Sequence, residues 1–401
     1  MQPPVGQIIS TISEPGAASA PRGGFTLFRS GFRPFFLFGA LFGLSALVYF
    51  ILLMSGVAQL LPSRWDMVFW HQHEMLFGFA GAIIAGFLLT AVPNWTGHPT
   101  PRGAKLALLV LLWLLGRAAV FDSAHLPAIL AGAVDVAFFP ACIAGILPAL
   151  VKSHNRRNYF FIVLLVLLTL GNGLTHWGNE DTGMLLAKNI IILIMVMMGG
   201  RVIPFFTENP LGIRIARSPR IERFALISTI AALALEVMGA NTHLLGVAFI
   251  LAAAANFWRF SRWHSIKTLR VPLLWVLHAG YAWLIVGMAM KAGHNFGADI
   301  PLSADTHAFT AGGVGTLTLG MMARVSLGHS GRMLAAGRLI VFAFACITLA
   351  ALLRVFGVWL MPGLAMQWFQ SAALFWMLAF GIFLWVYAPI LLRPRRDGRD
   401  G

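Results

Sequence analysis

The sequence predicts an all-α polytopic membrane protein with about twelve transmembrane helices in one bundle. Three observations predict it. Of the 401 residues, 59% are hydrophobic and 11% charged, whereas a soluble domain carries about 25% charged residues. Apolar runs recur along the chain, each of the roughly 17–25 residues a helix needs to cross a bilayer. Lys and Arg collect in the short segments between the runs, the pattern that orients membrane proteins. The net charge of +15 therefore belongs to loops, and no basic surface is left for nucleic acid. The expected partner is the lipid bilayer. Cys142 and Cys346 lie in separate apolar runs and read as packing residues.

Residues 1–24 are rich in Pro, Gly, Ser and Ala. No basic segment leads into an apolar core, so they read as a disordered cytoplasmic tail and not as a cleaved signal peptide. Phe25 to Phe36 interleaves aromatics with Arg29 and Arg33, which suits a membrane interface. Residues 25–392 form the transmembrane domain, and 393–401 a basic cytoplasmic C-terminal tail.

The first span covers 35–56. The second, 72–93, opens on Trp70-His71-Gln72-His73-Glu74-Met75, carries Gly78, Gly81 and Gly86, and closes on Pro93-Asn94-Trp95. The third is 105–121. The fourth, 126–150, holds Asp135 in mid-span. The fifth, 159–177, ends on Thr175-His176-Trp177, and the sixth, 184–205, contains Gly199-Gly200-Arg201. Spans 223–239 and 241–260 are separated only by Gly239-Ala240-Asn241; a single bent helix is the alternative. The ninth, 272–291, carries His278 and Tyr281. The tenth, 304–325, carries His307, four glycines and Arg324. The last two are 337–359 and 365–392.

Loop charges test the count. With both termini in the cytoplasm, 24 of the 29 Lys and Arg residues fall on the inner side. Asp66, Asp122, Glu180, Asp181, Asp299 and Asp305 fall on the outer side. An error in the count would break this alternation downstream. The topology places His71, His73, His176 and His307 near the outer ends of helices, His278 deeper, and His329 on the inner side.

Ionisable groups at membrane depth are costly and point to function. His71 and His73 are two residues apart, about 200° around a helix, so both face one metal only if the turn unwinds. Glu74 lies on the face of His71 and is a candidate orienter or proton carrier, because ligating histidines commonly give their second N–H to a carboxylate. His307 opens the tenth span at the same depth. The glycines below His73 and His307 leave room for a flat ring or for close helix packing. His176 ends an outward helix, and His278 and Tyr281 lie three apart on one helical face. Neutral imidazole is the usual ligand for haem iron and copper. These residues also read as hydrogen-bonded interior groups. Asp135 and Glu236 expect partners such as Arg117 and Lys188, in an ion pair or a proton relay. Met195, Met197, Met198, Met288 and Met290 read as core packing. Arg201 and Arg324, with Gly200 and with Gly328-His329, either snorkel to headgroups or clamp carboxylates such as haem propionates.

Five blocks then carry a family resemblance: Phe32-Arg33-Pro34-Phe35-Phe36, Trp70 to Phe79, Gly86 to Trp95, Gly200 to Thr207, and Arg324 to Arg332. Through them the chain resembles the NnrS family from about residue 25 to 390. The resemblance implies a twelve-span protein of the bacterial inner membrane that binds b-type haem and copper. It also implies a link to nitric oxide metabolism and nitrosative-stress defence. Nitric oxide or a related small molecule is the implied ligand, with an unidentified electron donor. His71, His73, His176, His278 and His307 are the candidate metal ligands, and Glu74 and Tyr281 the candidate catalytic groups. Arg201, Arg324 and His329 are further cofactor contacts. A secondary transporter and an oxidase-like or nitric oxide reductase-like enzyme are the competing readings. No adjacent His-His pair supports the latter.

Overall fold

The computed structural model describes residues 26–398. The N-terminal tail expected over 1–24 lies outside the described residues. The described chain is helical throughout, without strands. Ten helices are long and apolar enough to cross a membrane: α1 (Phe32–Met54), α2 (Met67–Thr96), α3 (Ala104–Phe121), α4 (Ala128–Lys152), α5 (Arg156–Trp177), α6 (Glu180–Leu211), α8 (Thr242–Ser261), α9 (Pro272–Asn295), α11 (Arg338–Leu360) and α12 (Pro362–Leu392). Two less apolar rods fill the remaining predicted places. One is α7 (Pro219–Val237). The other, α10, runs continuously through Leu302–His307, Ala308–Gly315 and Thr316–Gly328. Their charges and glycines explain the lower hydropathy: α7 contains Arg220, Glu222, Arg223 and Glu236, and α10 contains Asp305, Arg324 and five glycines.

The chain divides at Gly239 into two helices rather than one bent one. Gly239 adopts φ +68°, which favours glycine, and the Asn241 side chain then caps α8 by accepting from Leu244 N at 2.9 Å. Other boundaries shift outward. Asn179 caps α6 four residues earlier than expected. That helix runs through Pro204, because the membrane and its neighbours keep it apolar and packed. Within α4 the helix breaks at Ala137. Pro140 causes the break, having no N–H to give Val136 and a ring that crowds its carbonyl.

The helix that positions the site, α2, is the most enclosed: 83% of its central apolar window is buried. It packs against α1 through close backbone approaches. A Cβ on Gly43 would stand 2.7 Å from Phe79, and one on Gly86 2.8 Å from Phe35. Helix α12 closes the bundle on α1. Arg33, fully buried, donates to Leu391 O at 2.7 Å and Arg393 O at 2.8 Å, which satisfies carbonyls left open at the C-terminus of α12. The arginine-rich connections are tied together at one end of the bundle, as by Arg395 Nη1 to His329 O at 2.9 Å and Asn155 Nδ2 to Trp95 O at 2.9 Å. The remaining connections meet at the other end, where Trp65 donates to Glu180 at 3.0 Å.

Candidate metal centre

The centre is built from the start of α2. Asp66 caps this helix, its carboxylate accepting from Val68 N at 2.7 Å and Phe69 N at 3.0 Å. That fixes the register seven residues ahead of His73. At Glu74 the helix widens into a π turn that runs to Ala80. Such turns are rare and are frequent at functional sites.

His73 is fully buried and Glu74 nearly so. His73 Nδ1 donates to Glu74 Oε1 at 3.0 Å. Its Nε2 faces Asp135 Oδ2 at 3.3 Å and the Asn172 side-chain amide at 3.0 Å. His176 Nε2 meets the same Asp135 oxygen at 2.9 Å. One donor atom each from His73, Asp135 and His176 lie within 4.8 Å of one another. Helices α2, α4 and α5 contribute one each. Arg117 on α3 bridges Glu74 and Asp135. Two buried carboxylates against one buried guanidinium leave the cluster short of positive charge, and a buried charge is tolerated only when compensated.

The two histidines are prepared differently. With Nδ1–H given to Glu74, a neutral His73 turns its Nε2 lone pair toward a carboxylate oxygen. A proton or a metal ion between the two satisfies both. This is the carboxylate–histidine–metal arrangement in which an outer carboxylate fixes the ligand's tautomer. His176 Nδ1 instead receives Arg64 Nη2 at 2.9 Å. Arginine has only donors, so Nδ1 accepts and Nε2 carries the proton given to Asp135. Ligation through Nε2 therefore requires Arg64 to release the ring. The same guanidinium nitrogen already reaches His176 O at 3.2 Å, so it has a place to stay. Two imidazoles and a carboxylate form a nitrogen and oxygen donor set that suits copper, zinc or iron. A copper ion fits these residues.

A second grouping lies on the other face of α2. His71 stacks on Phe50 at 4.1 Å between ring centres, and its Nδ1 is buried without a partner among the described residues. His307, on α10 just before the π turn Ala308–Gly315, donates Nδ1–H to Ser303 O at 2.7 Å. That leaves its Nε2 with the lone pair of an axial ligand. Arg354, in the third π turn (Leu353–Gly357), lies close enough to both rings to act on them electrostatically. It covers Phe369 at 4.4 Å, and its Nη1 is buried without a partner among the described residues. Unmet imidazole and guanidinium nitrogens are what a haem iron and propionate require. The glycine faces do not add a slot. A Cβ on Gly78 would meet Phe42 at 2.5 Å, one on Gly81 Phe139 at 3.1 Å, and one on Gly312 Trp283 at 2.5 Å. The room expected for a ring below His73 and His307 is filled by these side chains, because small residues serve close helix packing.

The other sequence candidates lie apart. His278 holds two hydroxyls, Thr207 Oγ1 and Ser265 Oγ, each at 2.9 Å, so both ring nitrogens are engaged and it supplies no ligand to this cluster. Tyr281 donates to Asn256 Oδ1 at 2.6 Å and is bonded by Arg259. Arg201 bonds Asn158 at 3.0 Å, and Arg324 stacks on Phe206 at 4.0 Å. His329 is at the arginine-rich end, its ring 5.7 Å from that of Phe32. The sequence offered Arg117 and Lys188 as partners for Asp135 and Glu236 without dividing them; the structure gives Arg117 to Asp135 and Lys188, at 3.4 Å, to Glu236. It did not mark Asp135 as a ligand, nor Asn172, Arg64 or Arg354 as site groups. For Asp135 the signal was present: a carboxylate in mid-span needs a reason.

An α-helical polytopic membrane protein with a buried histidine–carboxylate cluster at one end is the class these features define. The family model of the NnrS protein matches residues 26–395. The chain belongs to the NnrS family. No curated protein matches it.

Proposed function

We propose that this protein is a haem- and copper-binding protein of the bacterial inner membrane that acts in nitric oxide metabolism or nitrosative-stress defence. The observation that carries the metal reading is the buried His73–Asp135–His176 cluster, with its donor atoms within 4.8 Å. Copper is assigned to this cluster, and haem to His71 and His307 with Arg354 for a propionate. The link to nitric oxide rests on family membership. The arginine-rich end is assigned to the cytoplasm, which puts both termini there and the cluster toward the outer face.

When bound, copper would supply an open coordination position for nitric oxide, and haem iron held by two histidines would supply one-electron chemistry. The chain's own residues do the rest. Glu74 orients His73 through Nδ1. Arg117 holds Glu74 and Asp135 in place and balances part of their charge. Trp65 lies against both ligating rings, 4.6 Å from His73 and 5.1 Å from His176, and screens the cluster from water. Arg64 occupies His176 Nδ1 until a metal takes Nε2.

The test is metal analysis and an absorption spectrum of the full-length protein purified in detergent. Wild type should contain copper and show a Soret band. His73→Ala and His176→Ala should lose copper and keep the band, and His307→Ala should lose the band and keep copper. Full copper in both cluster variants would remove the metal centre from this place.

A further inference from the structure

Three of the blocks that carry the family resemblance touch neither candidate metal grouping, yet they meet at one place. The Phe32 block, the end of α2 and the Arg324–Arg332 block surround a cavity of about 130 Å³ at the arginine-rich end. Ser30, Thr90, Asn94, Arg102, His329 and Arg395 line it, and no acidic side chain does among the described residues. A single water needs only about 10–15 Å³ of such space, so the cavity takes a small polyatomic group. Thr90 is buried and Arg102 exposed, so it runs inward from the surface.

Its inner wall is already satisfied. Phe32 N donates to Thr90 Oγ1 at 2.9 Å, and that hydroxyl donates to Gly86 O at 2.7 Å. The donors left belong to an arginine and a histidine. The Arg102 guanidinium and the His329 ring make no hydrogen bond among the described residues. Arg395 is fixed beside them, Nη1 donating to His329 O at 2.9 Å and Nε to Asp397 Oδ1 at 2.8 Å. Arg29, Arg332 and Arg395 all crowd Arg33 closely enough to repel it. The α1 N-terminus adds partial positive charge to the same wall. Like charges held together around a polar hollow are relieved by an anion.

We propose that this cavity binds a phosphate-class oxyanion, either a free ion or the headgroup of an anionic phospholipid, held by Arg102 and His329 against the start of α1. The assignment shares no residue with the metal centre and does not depend on it. Arginine suits such oxyanions because its fork matches their oxygens in charge and geometry.

Full-length protein in neutral detergent is melted against inorganic phosphate, with chloride at equal ionic strength as control. Native mass spectrometry of the same samples reads retained phosphatidylglycerol. Phosphate should raise the melting temperature saturably, with a midpoint at least about tenfold higher in Arg102→Gln, the loss expected for a charge-assisted contact. Asn94→Leu, which fills the cavity from another wall, should weaken binding in the same direction. Saturable phosphate binding without retained lipid assigns the free ion. Phosphatidylglycerol kept by wild type and lost in Arg102→Gln assigns the headgroup. Equal effects of phosphate and chloride with no retained lipid overturn the proposal, as does lipid or phosphate binding unchanged in both variants.

Discussion

At the scale of single residues, the cluster is asymmetric, and the asymmetry is testable. His73 presents a lone pair that Glu74 has already oriented, whereas His176 is held in the other tautomer by Arg64. Glu74→Gln should weaken metal binding by about 10–100-fold, the usual cost of losing an outer carboxylate, as measured by competition with a chelator. Arg64→Gln should act in the opposite direction and tighten binding, because no guanidinium then competes for Nδ1. Tighter binding in Glu74→Gln, or weaker in Arg64→Gln, would reverse the roles assigned to them. Asp135→Asn removes a ligand and an ion-pair partner together. It leaves the buried Arg117 with Glu74 alone, and breaking a buried pair costs about 3–5 kcal/mol. Both metal content and melting temperature should fall.

At the scale of elements, the three π turns, Glu74–Ala80, Ala308–Gly315 and Leu353–Gly357, each adjoin a candidate site group: His73, His307 and Arg354. A widened turn re-aims the side chains that follow it without ending the helix. The first turn is also where α2 meets both α1 and α3. A Cβ on Gly78 would stand 2.5 Å from Phe42 and 3.2 Å from the Arg117 guanidinium. Gly78→Ala should cost about 1–3 kcal/mol as an overpacked core does, and should displace Arg117 and with it Glu74 and Asp135. The measurement is thermal unfolding paired with copper content. Loss of stability with copper fully retained would separate the helix contact from the centre.

At the scale of the molecule, a buried ionic network joins the halves of the chain. Lys291 Nζ lies 2.9 Å from Glu236 and 3.2 Å from Asp305, and Glu236 also meets Lys188 at 3.4 Å. Helices α6, α7, α9 and α10 are thus held by two cations and two anions away from water. Lys291→Met leaves two carboxylates sharing Lys188, and should lower stability by about 3–5 kcal/mol, read as a drop in melting temperature in detergent. Orientation is tested separately. Reporter fusions should place residue 180 outside and residues 157 and 267 in the cytoplasm. Residue 180 in the cytoplasm would reverse the assignment of the arginine-rich end.

What the sequence determined by itself was set by composition over long windows. A bilayer rewards apolar length, and charges are excluded from its core, so helix number, alternation and the depth of each histidine are one-dimensional properties of the chain. That Asp135 and Glu236 need basic partners, with Arg117 and Lys188 as candidates, was legible for the same reason, since a buried charge needs an opposite one nearby; which cation meets which acid was decided by packing. Depth, however, does not determine direction around a helix or the rotation of one helix against another. The sequence expects His71, His73, His176 and His307 at one level, but tertiary packing sends His73 and His176 to Asp135 and turns His71 toward Phe50. His278, expected as a deeper ligand, has the hydroxyls of Thr207 and Ser265 on its two nitrogens, an arrangement no local pattern around it indicates. The glycines read as space, and the structure fills that space with Phe42, Phe139 and Trp283 from neighbouring helices. Which face a side chain presents, and what stands opposite, depends on interhelical contacts between residues tens of positions apart, and no local pattern encodes them.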